Sequence, residues 1–379
     1  MTKVMQVAQG SFKLNRYPLN KKESLRAWDA ADEYLLNYCN ENFTAEKSLK
    51  ILIVNDSFGA LTLPLSAGHD VSLWSDSCLT EKGVSENFIA NSADHSRYTF
   101  VKSTDLAVET FDLVLLKVPK SHAFLEHQLY TLLSVINENS RIISAGMSKN
   151  IHSSTLEYFE SIIGETKTSL AYKKARLIFT ATQRLDLTKK TPYPKTYRFD
   201  GFDYRITNHA NVFSREKLDI GTRFFLEHIP AAEKYKSIVD LGCGNGLIGL
   251  AAAEKNPQAS LDFADESFMA VASAKKNFSA SSLANHSRFY AMDCLYELAE
   301  DSADLVLNNP PFHQQHATGD AVAWRMFIDA KRVLRKGGEL WVIGNRHLSY
   351  QSKLKKLFKH CELIAANKKF VILKSVKSD

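Results

Sequence analysis

The sequence predicts an α/β protein built from two tandem doubly wound domains, residues 1–190 and 191–379, the first a weakened copy of the second. Three observations predict it. β-Branched apolar runs alternate with helix-length segments along the whole chain, the pattern of a mostly parallel sheet covered on both faces. The order of those segments occurs twice. A length of 379 residues also exceeds what one ordinary core holds.

The second half is the clearer copy. A β-branched run ends at Val239-Asp240 and enters Leu241-Gly242-Cys243-Gly244-Asn245-Gly246, followed by an apolar helical stretch through Ala253. Residues 260–264 form the next strand, ending at Asp265, and 268–278 a helix. A strand over 287–290 has Asp293 behind it, and 304–307 runs into Asn308-Asn309-Pro310-Pro311-Phe312. A helix over 323–334, the turn Lys336-Gly337-Gly338 and a strand over 339–343 follow.

The first half repeats this order. Residues 50–54 run into Asn55-Asp56-Ser57-Phe58-Gly59, 71–74 end at Ser75-Asp76, and 112–116 run into Lys117-Val118-Pro119. Matched positions lie about 185, 189 and 192 residues apart, a drift of only a few. Each half closes with a helix and two strands, over 152–163 and 166–180, then over 348–358 and 361–373. Any two doubly wound domains share such an order; the small drift favours duplication. The first copy has one glycine where the second has three, and Lys117-Val118-Pro119 where the second has Asn309-Pro310-Pro311. The expectation is a first domain that has lost cofactor binding and keeps a structural or substrate-docking role. Between the copies, Thr188 to Lys195 is polar and holds two prolines, as a linker would, and Asp200-Gly201 between aromatic-rich segments signals a hairpin.

Composition narrows the class. With 45% hydrophobic and 24% charged residues the chain reads as globular, and a net charge of +6 permits a polyanionic partner without requiring one. The five cysteines are scattered with no Cys-x-x-Cys pair, so neither a disulfide framework nor a zinc site is expected. No apolar run suits a signal peptide or a membrane span, and the expected setting is cytoplasmic, with no membrane and no obligate protein partner.

Glycines after an aspartate at a strand end bring bare backbone against a ligand, where a Cβ would fill the space. A tight turn with no ligand is the plain alternative. Gly244-x-Gly246-x-x-Gly249 with Asp265 about 20 residues on also fits a dinucleotide site, and these residues alone leave NAD open. Two features favour S-adenosylmethionine. Asp240 stands where that ligand's cationic amino acid part needs a carboxylate, which would repel a pyrophosphate; and the downstream motif suits amine chemistry rather than hydride transfer.

That motif is Asn309-Pro310-Pro311-Phe312, at the carboxyl edge where such sheets bind ligands. An exocyclic amine on a base is a poor nucleophile because its lone pair is delocalised into the ring. Hydrogen bonds that hold its N–H groups let the nitrogen pyramidalise. The Asn309 side-chain oxygen and the Pro310 carbonyl are suitable acceptors, and two prolines fix the carbonyl direction. Phe312 offers a stacking face worth about 1–3 kcal/mol. A proline turn with an aromatic plug is the bland reading. Nearby His313 and His316 lack a carboxylate or cysteine partner at ligand spacing, so no metal is expected, and His313 is placed on the substrate side.

The run Asp240 to Gly246 resembles the first motif of class I methyltransferases, a Rossmann-like fold. By that resemblance Asp240, Gly242, Gly244 and Gly246 line the methionine side, Asp265 binds the ribose hydroxyls and Asp293 the adenine amine. Asn211-Val212-Phe213-Ser214-Arg215, followed by Leu218-Asp219-Ile220-Gly221-Thr222, resembles the segment preceding the glycine loop in bacterial ribosomal RNA methyltransferases of the small-domain type. With Asn309 to His313 it points to the guanine-N2 methyltransferases, which carry a degenerate N-terminal copy of the same fold, and is most similar to the branch acting on 23S rRNA. The resemblance implies S-adenosylmethionine as donor, one 23S guanine as target, a bacterial source, and Phe213 beside the substrate. Lys173, Lys174, Arg176, Lys353, Lys355, Lys356 and Lys359 are candidate phosphate contacts or merely solvated charge. Rival expectations are a 16S guanine-N2 enzyme of the same architecture, an adenine-N6 or protein-glutamine methyltransferase, and a non-enzymatic RNA-binding assembly factor.

Overall fold

A computed structural model describes residues 3–20, 23–43, 48–105, 109–198, 205–214, 217–311 and 317–378. The chain divides into two compact units, Met1–Tyr193 and Pro194–Asp379.

The first unit opens with a hairpin of β1 (Val4–Val7) and β2 (Gly10–Lys13) and a helix α1 (Ala30–Phe43). Then follow β3 (Lys50–Val54), the short α2 (Thr62–Leu65), β4 (Asp70–Ser75), α3 (Cys78–Ala90), β5 (Tyr98–Lys102), β6 (Leu113–Lys117), α4 (His122–Leu132), β7 (Arg141–Met147), α5 (Ser153–Ile162), β8 (Thr166–Thr168) and β9 (Ala175–Thr180). Seven strands form one sheet in the order β5-β4-β3-β6-β7-β9-β8, parallel except for β9, which is antiparallel to both neighbours. Alternate side chains feed two cores: Ile51, Ile53, Leu113 and Leu115 one, Leu52, Val54, Val114 and Leu116 the other. That is why β3 and β6 read as continuous apolar runs rather than alternating ones. Ser77 and Ser121 cap α3 and α4, accepting from Leu79 and Phe124 N–H.

The second unit starts with β10 (Lys195–Arg198) and β11 (Arg205–Asn208), paired antiparallel, the predicted turn at 199–204 lying outside the described residues. It continues with α6 (Ile220–Leu226), β12 (Ser237–Leu241), α7 (Leu247–Lys255), β13 (Ser260–Asp265), α8 (Phe268–Ser279), β14 (Ser287–Ala291), β15 (Ala303–Asn308), α9 (Ala317–Val333), β16 (Leu334–Asn345), α10 (Tyr350–Phe358), β17 (Glu362–Ala366) and β18 (Phe370–Val376). Its sheet runs β14-β13-β12-β15-β16-β18-β17, the same order strand for strand, with β18 the antiparallel member. Ile238, Leu261, Phe263 and Leu305 pack on one face, Val239, Leu241, Ala264 and Val306 on the other.

The structure differs from the sequence reading in four places. The hairpin β1–β2 and helix α1, whose Ala31, Leu35, Cys39 and Phe43 are buried at helical spacing, are elements the sequence reading does not include. Strand β16 runs Leu334–Asn345, longer than 339–343; the expected turn persists inside it as an excursion between the Leu334–Ala303 and Glu339–Leu305 pairs, with Gly337 left-handed at φ 79. Strand register matches Ser75, not Asp76, to Asp265, because β4 and β13 pair with β3 and β12 from their first residues. The polar stretch before residue 194 is anchored rather than loose: Tyr193 is buried, its hydroxyl donates to Glu126 at 3.0 Å, and Thr191 meets His127 at 2.9 Å. Among the described residues, no helix is long and apolar enough to cross a membrane.

Candidate active site

Strand β12 delivers its last buried residues straight into the glycine turn. Asp240 is fully buried beneath that turn; one carboxylate oxygen accepts from Gly249 N–H at 2.8 Å, and the other has no partner among the described residues. Burial pushes its pKa up to about 7, the Gly249 hydrogen bond pulling the other way and the Asp265 charge adding to the rise. Such a buried oxygen calls for a donor, which an ordered water or a bound ligand could supply.

The glycines are needed for different reasons. Gly242, Gly244 and Gly246 all have positive φ (73, 53 and 80). A Cβ on Gly246 would stand 2.9 Å from the Ala274 Cβ, and one on Gly242 3.1 Å from the Met326 methyl. Gly244 is the exception: nothing lies within 4 Å of the position, so its bare backbone borders open space. Gly244 N–H donates to Asp265 at 2.9 Å and Ser267 N–H to the other oxygen of the same carboxylate at 3.0 Å, which ties the first strand–helix turn to the second.

Next to this turn lies the end of β15. Asn308 is fully buried and donates to the Leu241 carbonyl at 2.8 Å, locking β15 to β12. Asn309 donates through Nδ2 to the Thr222 hydroxyl oxygen at 3.0 Å, while its Oδ1 is buried without a partner among the described residues. Thr222 is itself held in the first turn of α6, where its N–H donates to the Asp219 cap at 3.0 Å. Pro310 is buried and Pro311 exposed. A Cβ on Gly242 would come within 3.9 Å of the Asn309 carbonyl oxygen, so glycine turn and asparagine corner adjoin. Phe312, His313 and His316 lie outside the described residues.

Asp293 follows β14 on the other side of the turn and is nearly buried. Arg325 of α9 ion-pairs with it and also approaches the Cys294 sulfur at 3.7 Å. The carboxylate assigned to an adenine amine is thus engaged by an arginine here. Phe213, between β11 and α6, is 68% exposed. Sequence reasoning passed over Thr222 and Arg325 as functional side chains. Thr222 stands 87 residues from Asn309, and nothing local links them.

The first unit keeps the backbone of this site and fills it. Asn55, first after β3, has φ 68 and Gly59 φ 82, the left-handed conformations of Gly242 and Gly246 at the same places after β12. The Asp56 carboxylate accepts the N–H groups of Gly59, Ala60, Leu61 and Thr62 at 2.8–3.1 Å, consuming the donors of the turn. At the end of β6, where the second unit leads to its asparagine, Lys117 Nζ lies 2.9 Å from Asp29 and 2.6 Å from Asp32. Burial pushes the Asp32 carboxyl up to about 6 against the pull of Lys117.

Residues 2–184 match the family described as RLMG N-terminal domain, and residues 203–374 the Methyltransferase small domain. The Ribosomal RNA large subunit methyltransferase G of Pseudoalteromonas translucida is 45% identical over 382 residues, covering 100% of this chain and 99% of its own. The protein of that name from Photobacterium profundum is 47% identical, covering 97% of each. Among solved structures, the 16S rRNA N2 methyltransferase of T. Thermophilus, in complex with AdoMet and guanosine, aligns with a TM-score of 0.77 over 99% of this chain and 97% of that one. At 19% identity this is a likeness of fold. Both halves and full-length relatives agree: the chain belongs to the ribosomal RNA large subunit methyltransferase G family.

Proposed function

We propose that this protein transfers a methyl group from S-adenosylmethionine to the exocyclic N2 amine of one guanine in 23S ribosomal RNA, with residues 191–379 as the catalytic domain and 1–190 as a docking or structural one. The observation that carries the reading is the buried, unpartnered Oδ1 of Asn309, its amide anchored at the other end by Thr222 and standing beside the glycine turn. Asn309 Oδ1 and the Pro310 carbonyl accept the two N–H groups of the guanine amine and draw its nitrogen out of conjugation. Neither atom has a proton of its own to compete. The corner is preorganised, since Asn308 and Thr222 fix it before the base arrives.

The second unit has the features the donor requires: an orphaned carboxylate oxygen for a cationic amine and a bare turn bordering open space. Gly242, Gly244 and Gly246 would line its methionine side with Asp240 nearby, Asp265 would take the ribose hydroxyls and Asp293 the adenine amine. When bound, S-adenosylmethionine supplies an electrophilic methyl group. The chain need provide no strong base, because the amine proton leaves after the new bond has formed. Phe312 would stack on the guanine, with His313 and Phe213 on the substrate side. Turning the base out of its stack is the step by which a buried corner reaches it.

The test is Asn309→Ala, assayed with labelled donor on protein-free 23S rRNA and by calorimetry for the donor. Turnover should fall at least about 100-fold, as for loss of one preorganised polar contact, while donor affinity stays within a few-fold. Equal loss of both contradicts the role. Label entering only 16S rRNA, DNA or protein with the unaltered enzyme contradicts the substrate.

A further inference from the structure

The carboxyl edge of the second unit's sheet holds one more buried amide, which the chemistry above leaves unused. Asn345 ends β16 and is 4% exposed, and its Oδ1 is buried with no partner among the described residues. The Asn309 Oδ1 is in the same state. Strand register puts both amides on one face. Asn308 pairs with Val342, so β16 continues three residues past the last pair of β15, alongside the asparagine–proline corner. Trp341 and Ile343 share a core with Phe225 and Leu226 of α6, whereas Leu340 and Val342 face the other core. A Cβ on Gly344 would fall 2.6 Å from the Tyr350 ring of that other core, so Asn345 takes the α6 face. Asn309 lies on the α6 face too, two residues beyond Leu307 and bonded to Thr222. Phe370, the residue paired with Asn345, would stand 2.9 Å from a Cβ on Gly221, next to Thr222.

The first unit shows that the fold requires no amide at this place. Leu116 pairs with Val54 and Ser144 as Asn308 pairs with Leu241 and Val342. Counting on from those pairs, Lys117 stands for Asn309 and Met147 for Asn345, with Gly146 and Gly344 before them. The cross-strand partners agree, Ala175 for Met147 and Phe370 for Asn345. Met147 packs against the apolar core of its unit. The filled copy therefore has a clamped lysine and an apolar side chain where the second has two amides, each with an oxygen to spare. A buried oxygen without a donor costs stability, so a packing role alone is better served by methionine.

We propose that Asn345 determines base specificity, its Oδ1 accepting the N1–H of the target guanine. The proposal rests on the reading of the chain as a guanine-N2 methyltransferase. On guanine, N1–H is the neighbour of the N2 amine along one edge of the base. A guanine whose amine is held at the Asn309-Pro310 corner thus has a third donor to place, and Asn345 supplies the acceptor. Adenine and 2,6-diaminopurine carry a bare N1 lone pair there, which an amide oxygen repels. The second of these keeps the N2 amine and so separates recognition from chemistry. The experiment ligates guanine or 2,6-diaminopurine into protein-free 23S rRNA at the methylated position, and measures kcat/KM on each. The full-length parent, Asn345→Leu and Asn345→Asp are compared. The parent should prefer guanine at least about 100-fold, as sites that hydrogen-bond their substrate do. Asn345→Leu should lose at least about tenfold of that preference, through a lower kcat/KM on guanine, with donor affinity within twofold. It should melt no lower than the parent, since it removes an oxygen that has no donor. Asn345→Met, the side chain of the first unit, gives the same reading where leucine fails to fold. Asn345→Asp keeps an acceptor and should keep most of the preference for guanine. An unchanged preference in the leucine or methionine variant overturns the proposal and leaves the oxygen to a water. A parent that methylates both bases alike overturns it too. A parent that methylates neither sinks the enzymatic reading, and this contact with it.

Discussion

A primary amide is nearly symmetric in shape, so Asn309 has two orientations that fill the same space and do opposite things. With Nδ2 on Thr222 it would turn an acceptor toward the proposed substrate amine; rotated by half a turn it would offer a donor to an amine that is itself a donor. Thr222 anchors one end of the amide and fixes its plane, which makes it a proposed positioning residue. Thr222→Val keeps the shape and removes the hydroxyl. We expect kcat to fall about 10–100-fold, equivalent to about 1.4–2.8 kcal/mol of barrier, with donor affinity and melting temperature close to the parent. Thr222→Ser should restore most of the rate. Valine and serine variants with equal kcat would assign the anchoring of Asn309 to something else. The asparagine itself was legible in the sequence, because a strand end followed by two prolines is rare and carries its own chemistry. Its partner was not: a threonine in a helix's first turn reads as part of a cap, and only the folded chain brings it within 3.0 Å of a residue 87 positions away.

At the level of strand, turn and helix, the glycine run is one sequence signal with two physical meanings. Gly249, inside α7, is a packing glycine: a Cβ would fall 2.1 Å from the Phe263 ring, which is stacked on Phe289 at 4.9 Å and edged by Phe278 at 5.5 Å and so has little room to yield. Gly249→Ala should destabilise the second unit by about 1–3 kcal/mol, the ordinary cost of overpacking, read as a lowered melting temperature. Gly244, left-handed and bordering open space, is the glycine proposed to face the donor. Gly244→Ala should cost only about 1–2 kcal/mol in stability, from placing a Cβ at positive φ, yet weaken donor binding at least tenfold by calorimetry. Should the second variant bind the donor like the parent, the open space beside Gly244 is not where the ligand lies. The strands and helices that build these turns were readable because strands such as β3, β6 and β12 are buried on both faces and appear as unbroken apolar runs. What escaped was the β1–β2 hairpin; helix α1, although Ala31, Leu35, Cys39 and Phe43 recur at helical spacing; and the start of β16 at Leu334, ahead of an excursion over Lys336-Gly337-Gly338 that leaves the pairing with β15.

Across the whole molecule, one fold appears twice with opposite outcomes, and the cause lies in side chains more than in loop shape. The first copy has one glycine where the second has three. Yet Asn55 and Gly59 still hold the left-handed backbone of Gly242 and Gly246. The difference is the residue second after each strand: Asp56 turns back and binds four successive N–H groups, whereas Cys243 in its place has no carboxylate to do so. Farther along the same edge, Lys117 is clamped by Asp29 and Asp32 where the second unit leads to Asn309. A turn that satisfies its own donors gains nothing from a ligand, so donor binding should be felt by one unit alone. At a concentration 100 times its dissociation constant, a ligand stabilises the state that binds it by about 2.7 kcal/mol. Hydrogen exchange with and without S-adenosylmethionine should accordingly slow at 242–250 and 264–267, where turn and carboxylate share hydrogen bonds, and stay unchanged at 55–62. Protection appearing at 55–62 with equal strength would mean that the Asp56 carboxylate yields to the ligand, and that the first unit is a second donor site rather than a filled one.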